Sequence, residues 1–270
     1  RAALNSGVSQ EQLDKDFPSL REQYGRGVFG GKVVLVRPDL NVPFKTLEGN
    51  YVITDTERIQ ASVPTIEELS GYGARVVIMA HQGRPAEGDC ISLLPHKMVL
   101  EELLKRLVIF REAHWYGEAT QNTIKKEMGE GDILLLDNIR KLSDDNLLAG
   151  DSLGGRIDPK RFASLPDSFP KVLGGVIDFF VNDAFSVAHR WQGSMVGFPY
   201  NLNLAGRLME SEIIANRALS ADTPRPYTMV LGGIKVTDYL SLVRESLDGS
   251  SVDYILAAGT LGIMGVLGTM

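Results

Sequence analysis

The chain has 270 residues, with 28 Lys+Arg against 34 Asp+Glu for a formal charge of −6, and 44% hydrophobic against 23% charged residues. That balance excludes disordered and collagen-like chains and suffices for one or two domains with a sizeable core. The single Cys90 excludes an internal disulfide scaffold, and an acidic chain lacks the basic face that general nucleic-acid binding uses.

In chain order, residues Arg1–Asn5 show no apolar signal core, so no secretory segment is expected. Gly25-Arg26-Gly27-Val28-Phe29-Gly30 spells GxGxxG, but it precedes the apolar run Lys32–Val36. A dinucleotide site needs these glycines after a strand and opening a helix, so a flexible lead-in turn is expected instead. Further apolar runs follow at Arg75–Ala80, Asp132–Leu136, Val176–Val181, Pro226–Leu231 and Val252–Ala257. They are too short for helices and lack polar alternation, which suits parallel strands buried on both faces. Helical segments lie between them. Thr56–Gly71 is expected to break in two at Pro64. Pro95–Arg106, Glu118–Met128, Leu204–Ser220 and Thr237–Leu247 read as the others. Ser143–Lys171 reads as a polar insertion with one short helix near Lys160–Leu165. Strands alternating with helices indicate an open α/β sheet. The uncharged stretch Tyr254–Met270 carries Gly259, Gly262, Gly265 and Gly268, each costing about 1 kcal/mol in a helix, so no membrane span is expected.

Ligands of open α/β sheets bind beyond the carboxyl ends of the strands. Those ends read Arg37-Pro38-Asp39-Leu40-Asn41, His81-Gln82-Gly83-Arg84-Pro85, Asp137-Asn138-Ile139-Arg140 and Asn182-Asp183-Ala184-Phe185-Ser186-Val187-Ala188-His189-Arg190. Arg84, Arg140 and Arg190 would converge on one edge, with His81, His189 and Arg58 nearby. Guanidinium groups bind phosphate or carboxylate bidentately, and several make an anion cradle. Asp39 and Asn41 either meet a ligand hydroxyl or orient the arginines, or else bond their own turn backbone. After the next strand, Gly232, Gly233 and Lys235 could approach a phosphate. GxxxxGK[ST], HExxH, paired CxxC and GxSxG are all absent, and His81, His96, His114 and His189 are scattered, so no metal site is expected.

Five segments together resemble phosphoglycerate kinases: Asp39-Leu40-Asn41-Val42-Pro43-Phe44, Asp55-Thr56-Glu57-Arg58-Ile59, His81-Gln82-Gly83-Arg84-Pro85, Asn182 through Arg190, and Leu231-Gly232-Gly233-Ile234-Lys235-Val236. They stand in the family's order over about Val33 to Gly259, and the Ala80–Pro85 variant is similar to the archaeal branch. The resemblance implies a two-lobed α/β fold. A parallel sheet flanked by helices (residues 1–200) would bind 3-phosphoglycerate. A boundary helix (201–220) would join it to the start of an incomplete Rossmann-like nucleotide lobe (221–270). It implies substrate contacts from Asp39, Leu40, Asn41, Arg58, His81, Gln82, Gly83, Arg84, Arg140 and Arg190. ATP or ADP, with bound Mg2+, would meet Gly233, Ile234, Lys235 and Gly259, and Arg58 and Lys235 would be catalytic. The implied reaction is reversible phosphoryl transfer between 1,3-bisphosphoglycerate and ADP, in the cytoplasm, on small molecules, with no nucleic acid or membrane partner.

The chain departs from the family pattern by stopping early and by carrying Tyr239 where many members have lysine. Ala257-Ala258 replaces a glycine pair, Pro38 replaces a residue with a backbone donor, and Lys141 replaces an aromatic. A non-catalytic module that keeps the arginines and has lost nucleotide binding is the alternative. A nicotinamide-dependent oxidoreductase would rest only on the misplaced glycines.

Overall fold

The computed structural model describes residues 25–112, 117–142, 169–190, 192–198, 203–221, 224–232, 243–244, 248, 252–260 and 262–263. The segment expected to be a flexible lead-in is instead a short helix, α1 (Gly25–Phe29). Phe29 fastens it, fully buried between Tyr72 (stacked, 6.2 Å) and Phe179 (edge-on, 5.2 Å). β1 (Val33–Pro38) follows, every residue buried. Two short antiparallel strands, β2 (Phe44–Leu47) and β3 (Asn50–Ile53), were not anticipated. Their turn residues Glu48 and Gly49 both have positive φ (50° and 80°), the conformation a two-residue hairpin turn requires.

α2 (Glu57–Gly71) runs unbroken through Pro64, contrary to expectation. A proline inside a helix removes one hydrogen bond and costs about 3 kcal/mol. Ile59, Ile66 and Leu69 of the same helix are fully buried, at about 1.5–3 kcal/mol each, which outweighs it. β4 (Arg75–Ile78), α3 (Leu94–Leu104), β5 (Ile109–Arg111) and α4 (Glu118–Asn122) come next. The last continues as a wider π turn, Thr123–Glu127. β6 (Ile133–Leu136), α5 (Phe169–Gly174), β7 (Phe179–Asp183) and α6 (Gly193–Val196) precede β8 (Asn203–Ala205). α7 (Arg207–Ala221) starts later than the pattern suggested, because β8 takes residues 203–205. The helix expected near Lys160–Leu165 lies outside the described residues, as does Thr237–Leu247 apart from 243–244.

Six strands form one parallel sheet in the order β5-β6-β4-β1-β7-β8. Alternate residues of β1 feed its two faces. Val34 and Val36 join Phe29, Ile66 and Leu100 on one side, and Val33 and Leu35 join Leu134, Phe169 and Phe180 on the other. Both faces are covered, which explains the missing polar alternation. β4 and β6 lie on one side of β1 and β7 on the other, so the strand order reverses at β1, and a crevice opens there beyond the strand ends.

The chain divides into two units between Ile214 and Ala215. In the second, β9 (Thr228–Leu231) and β10 (Tyr254–Ala257) pair in parallel. Asp253 ties the start of this pair, accepting from the Tyr227 N–H at 2.5 Å and from Arg225 at 2.9 Å.

Candidate functional site

At the carboxyl end of β1, Asp39 serves both roles the sequence left open. One carboxylate oxygen accepts from the Asn41 N–H (3.0 Å), bracing its own turn. The other accepts from Arg58 Nη1 (2.7 Å) and from Ser186 Oγ (2.5 Å). Asp39 therefore ties together β1, the first turn of α2 and the loop after β7. Asp55, just ahead of the Thr56 N-cap, accepts from the Glu57 N–H at 2.8 Å and braces the turn into α2, whose first turn carries Arg58. Asp39 is 6% exposed, whereas the Arg58 side chain is 53% exposed and available to a ligand. A cavity of about 320 Å³ lies here, lined by Asp39, Glu57, Arg58, Ala61, Phe185, Ser186, Leu208 and Glu212.

The centre of the site is His81, which is 2% exposed. Arg37, fully buried inside β1, places Nη2 3.0 Å from His81 Nδ1 and Nη1 2.6 Å from the Pro38 carbonyl. A guanidinium can only donate, so Nδ1 is the acceptor and the ring proton sits on Nε2. Burial, followed by the fields of Arg37, Arg140, Arg58 and Arg190, pushes the His81 pKa down to about 2. His81 is therefore neutral near pH 7, and the positive charge of the site belongs to the arginines.

The turn after His81 is fixed from several sides. The Gln82 amide oxygen accepts from the Val42 N–H (3.0 Å) and from His96 Nε2 (3.1 Å), so its side chain braces neighbouring backbone. Gly83 has φ +63°, and a Cβ there would lie 2.1 Å from the Asp89 carbonyl oxygen, so only glycine fits. Its N–H donates to Asn41 Oδ1 (2.8 Å) and its carbonyl accepts from Arg140. Leu40 is fully buried in the core, so its part in the turn is apolar anchorage.

Arg84 does not join the arginines that act on His81. It pairs with Glu87 at 2.5 Å, and its backbone N–H donates to Asp89. This arginine thus has a nearby acid as its partner, with both side chains about half exposed. Cys90 lies in the same loop beside Asn138 Nδ2 (3.4 Å), and burial pushes its thiol pKa up, which suits an unreactive thiol.

The sequence reading missed three residues of this site. Arg37 could have been noticed as a cation inside an apolar run buried on both faces, where it must find partners. Ser186 and Asn138 carry no such signal, because their roles depend on contacts with residues far away in the chain. Among the described residues no cluster of histidine, cysteine or carboxylate groups could hold a metal ion. No described helix is long and apolar enough to cross a membrane. Gly233, Ile234, Lys235 and Tyr239 lie outside the described residues. Gly259 follows β10 with φ +57°, a conformation glycine adopts without strain, and Ala257 and Ala258 before it are exposed.

The family model for phosphoglycerate kinase matches residues 27–265. The chain belongs to the phosphoglycerate kinase family. It is 37% identical over 230 residues to a phosphoglycerate kinase from Methanothermobacter thermautotrophicus, covering 85% of this chain and 53% of that protein. It is 39% identical over 231 residues to one from Halorubrum lacusprofundi, covering 85% and 52%. The crystal structure of phosphoglycerate kinase from Pyrococcus horikoshii OT3 superposes with a TM-score of 0.80 at 33% identity, covering 93% of this chain and 57% of that one. The chain thus spans about half the length of the phosphoglycerate kinases it matches.

Proposed function

We propose that this chain carries the acceptor half of a phosphoglycerate kinase, in which the phosphoryl group of 1,3-bisphosphoglycerate passes reversibly to ADP, giving 3-phosphoglycerate and ATP. One observation carries the reading: at the strand ends Arg37 donates to the buried His81 Nδ1 (3.0 Å), Arg140 holds the neighbouring Gly83 carbonyl, and Asp39 after β1 aims the half-exposed Arg58. That arrangement suits a small ligand bearing two anionic groups better than a macromolecular surface.

In this reading residues 1–200 bind the phosphoglycerate, α7 supplies the joining helix expected over 201–220, and 221–270 begin the nucleotide lobe. Arg140 and Arg190 take the ligand's phosphate and carboxylate, Asn41 orients it, and His81 donates from Nε2. Arg58, aimed by Asp39, faces the charge on the transferred phosphoryl group. Lys235 is the second catalytic cation that the family resemblance implies. Such donors are worth about 2.7–4 kcal/mol of barrier each, because little covalent chemistry falls to the protein. Magnesium would arrive on the nucleotide's phosphates and supply further charge neutralisation. The substrates are soluble metabolites, and the cytoplasm is the fitting compartment.

The test is calorimetric titration of this chain with 3-phosphoglycerate, beside an Arg140→Ala variant. Saturable binding weakened about 10- to 100-fold in the variant supports the reading, as expected for losing charge-assisted hydrogen bonds. A folded chain that binds no 3-phosphoglycerate would overturn it.

A further inference from the structure

Asn138, after β6, is 1% exposed and makes no contact with open space. Its side chain is nevertheless saturated. Oδ1 accepts from the Gln82 N–H (3.2 Å) and the Arg140 N–H (3.1 Å). Nδ2 donates to the carbonyls of Gln82 (2.7 Å) and Ile91 (2.8 Å). A primary amide has two donor hydrogens and an oxygen with two lone pairs, and all four are used. Its orientation is unambiguous, because the oxygen faces two N–H groups and the nitrogen faces two carbonyls.

The partners are what give this residue meaning. Gln82's N–H and C=O belong to the two peptide groups joining His81 to Gln82 and Gln82 to Gly83. Clasping both fixes the backbone that aims the His81 ring and the Gly83 N–H. The Ile91 carbonyl closes the far end of the loop that carries Arg84. The Arg140 N–H anchors the residue whose guanidinium reaches the Gly83 carbonyl.

Resting on the phosphoglycerate reading above, we infer that Asn138 is a positioning residue for the anion cradle: it locks the His81–Gly83 turn and Arg140 into one geometry without touching the ligand. Alanine would leave two buried carbonyls, the buried Gln82 N–H and the part-buried Arg140 N–H without this partner. Aspartate would keep the shape but set a carboxylate against two carbonyl oxygens. Asp137 makes a suitable control. It is equally buried and at the same strand end, but it binds Ser92, the Leu93 N–H and Lys141, all outside the cradle.

Asn138→Ala, Asn138→Asp and Asp137→Asn should be compared by thermal midpoint, 3-phosphoglycerate titration and amide hydrogen exchange. The Asn138 variants should bind 10- to 100-fold more weakly and exchange the Gln82 and Gly83 amides faster. Asp137→Asn should lose comparable thermal stability yet keep wild-type affinity. Folded Asn138 variants with unchanged affinity and unchanged exchange would overturn the inference. So would an affinity loss in Asp137→Asn equal to theirs. If the wild-type chain binds no 3-phosphoglycerate, the functional reading fails, while exchange at Gln82 and Gly83 still decides whether Asn138 sets the turn. Should neither Asn138 variant fold, the wild-type chain decides. Its Gln82 and Arg140 amides should then exchange only as slowly as the core of the sheet, and exchange at exposed-loop rates would overturn the inference.

Discussion

Leu35 in β1 and Val230 in β9 sit in comparable places within short parallel strands, yet Leu35 is fully buried and Val230 is 68% exposed. Their strands read alike, as brief apolar runs with β-branched residues. The difference lies in what surrounds them. β1 has a hydrogen-bonded strand on each side and a packed layer over each face. Among the described residues β9 has one neighbour, β10, whose Tyr254 and Leu256 are 61% and 56% exposed. Strand propensity alone therefore does not bury a strand, and a two-stranded pair gains little from the apolar side chains it displays.

The comparison can be broken hardest with acid. Burial holds the His96 pKa down to about 4, and burial with the arginine fields holds His81 near 2. Both start from an ordinary 6.5, so below that pH the unfolded chain binds protons the native chain refuses. Stability then falls as pH drops, by about 1.4 kcal/mol per pH unit for each histidine, with no such loss above pH 6.5. Two pH units cost on the order of 5 kcal/mol, comparable to the whole stability of many domains. All four histidines precede residue 190, so Leu35 amide protection should collapse between about pH 6 and 4.5. Denaturant titrations at stepped pH would measure this, and a flat profile over that range would refute the buried neutral histidines.

A smaller effect sharpens the same contrast. Leu35→Ala opens a cavity in a two-sided core and should cost about 2–5 kcal/mol. Val230→Ala removes exposed methyl groups and should change stability by less than about 0.5 kcal/mol. Equal costs, measured by urea unfolding, would mean that β9 is covered in solution.

Much of this was legible in the sequence because it was local. The apolar runs located every buried strand of four or more residues in the sheet, since burial on both faces leaves a continuous signature. β5 and β8, three residues each, are too short to leave one, and the β2–β3 hairpin is largely exposed and has no apolar pattern to read. Pro64 misled because its local penalty was visible and the opposing tertiary packing of Ile66 and Leu69 was not. In the site, Asp39, Arg58, His81 and Arg140 were identifiable by residue type and place at strand ends. The neutrality of His81 and the clasp by Asn138 were not. Both depend on groups 44 and 56 residues apart in sequence that meet at 3.0 and 3.2 Å.

The smallest effect concerns the start of α7, within which the two units divide. Asp183, at the end of β7, accepts from Thr65 Oγ1 (2.6 Å) and from the Met209 N–H (3.0 Å), and Thr65 Oγ1 in turn accepts from the Arg207 N–H (2.9 Å). Strand, α2 and α7 are thereby joined at one buried carboxyl. Burial pushes the Asp183 pKa up, only partly countered by the hydrogen bonds from Thr65, Met209 and Leu208. A carboxyl with a raised native pKa keeps its proton longer in the folded chain, so its contribution to stability falls as pH rises from about 4 through the native value and is level above it. This slope opposes that of the two histidines. Asp183→Asn retains an oxygen for the Met209 N–H and removes the titration. The rise of stability with pH between about 4 and 6 should therefore be steeper in the variant than in the wild type, by less than about 1.4 kcal/mol per pH unit. Parallel urea titrations at pH 4.5, 5.5 and 6.5 would resolve it, and a shallower slope in the variant would show that Asp183 is held as the carboxylate across that range.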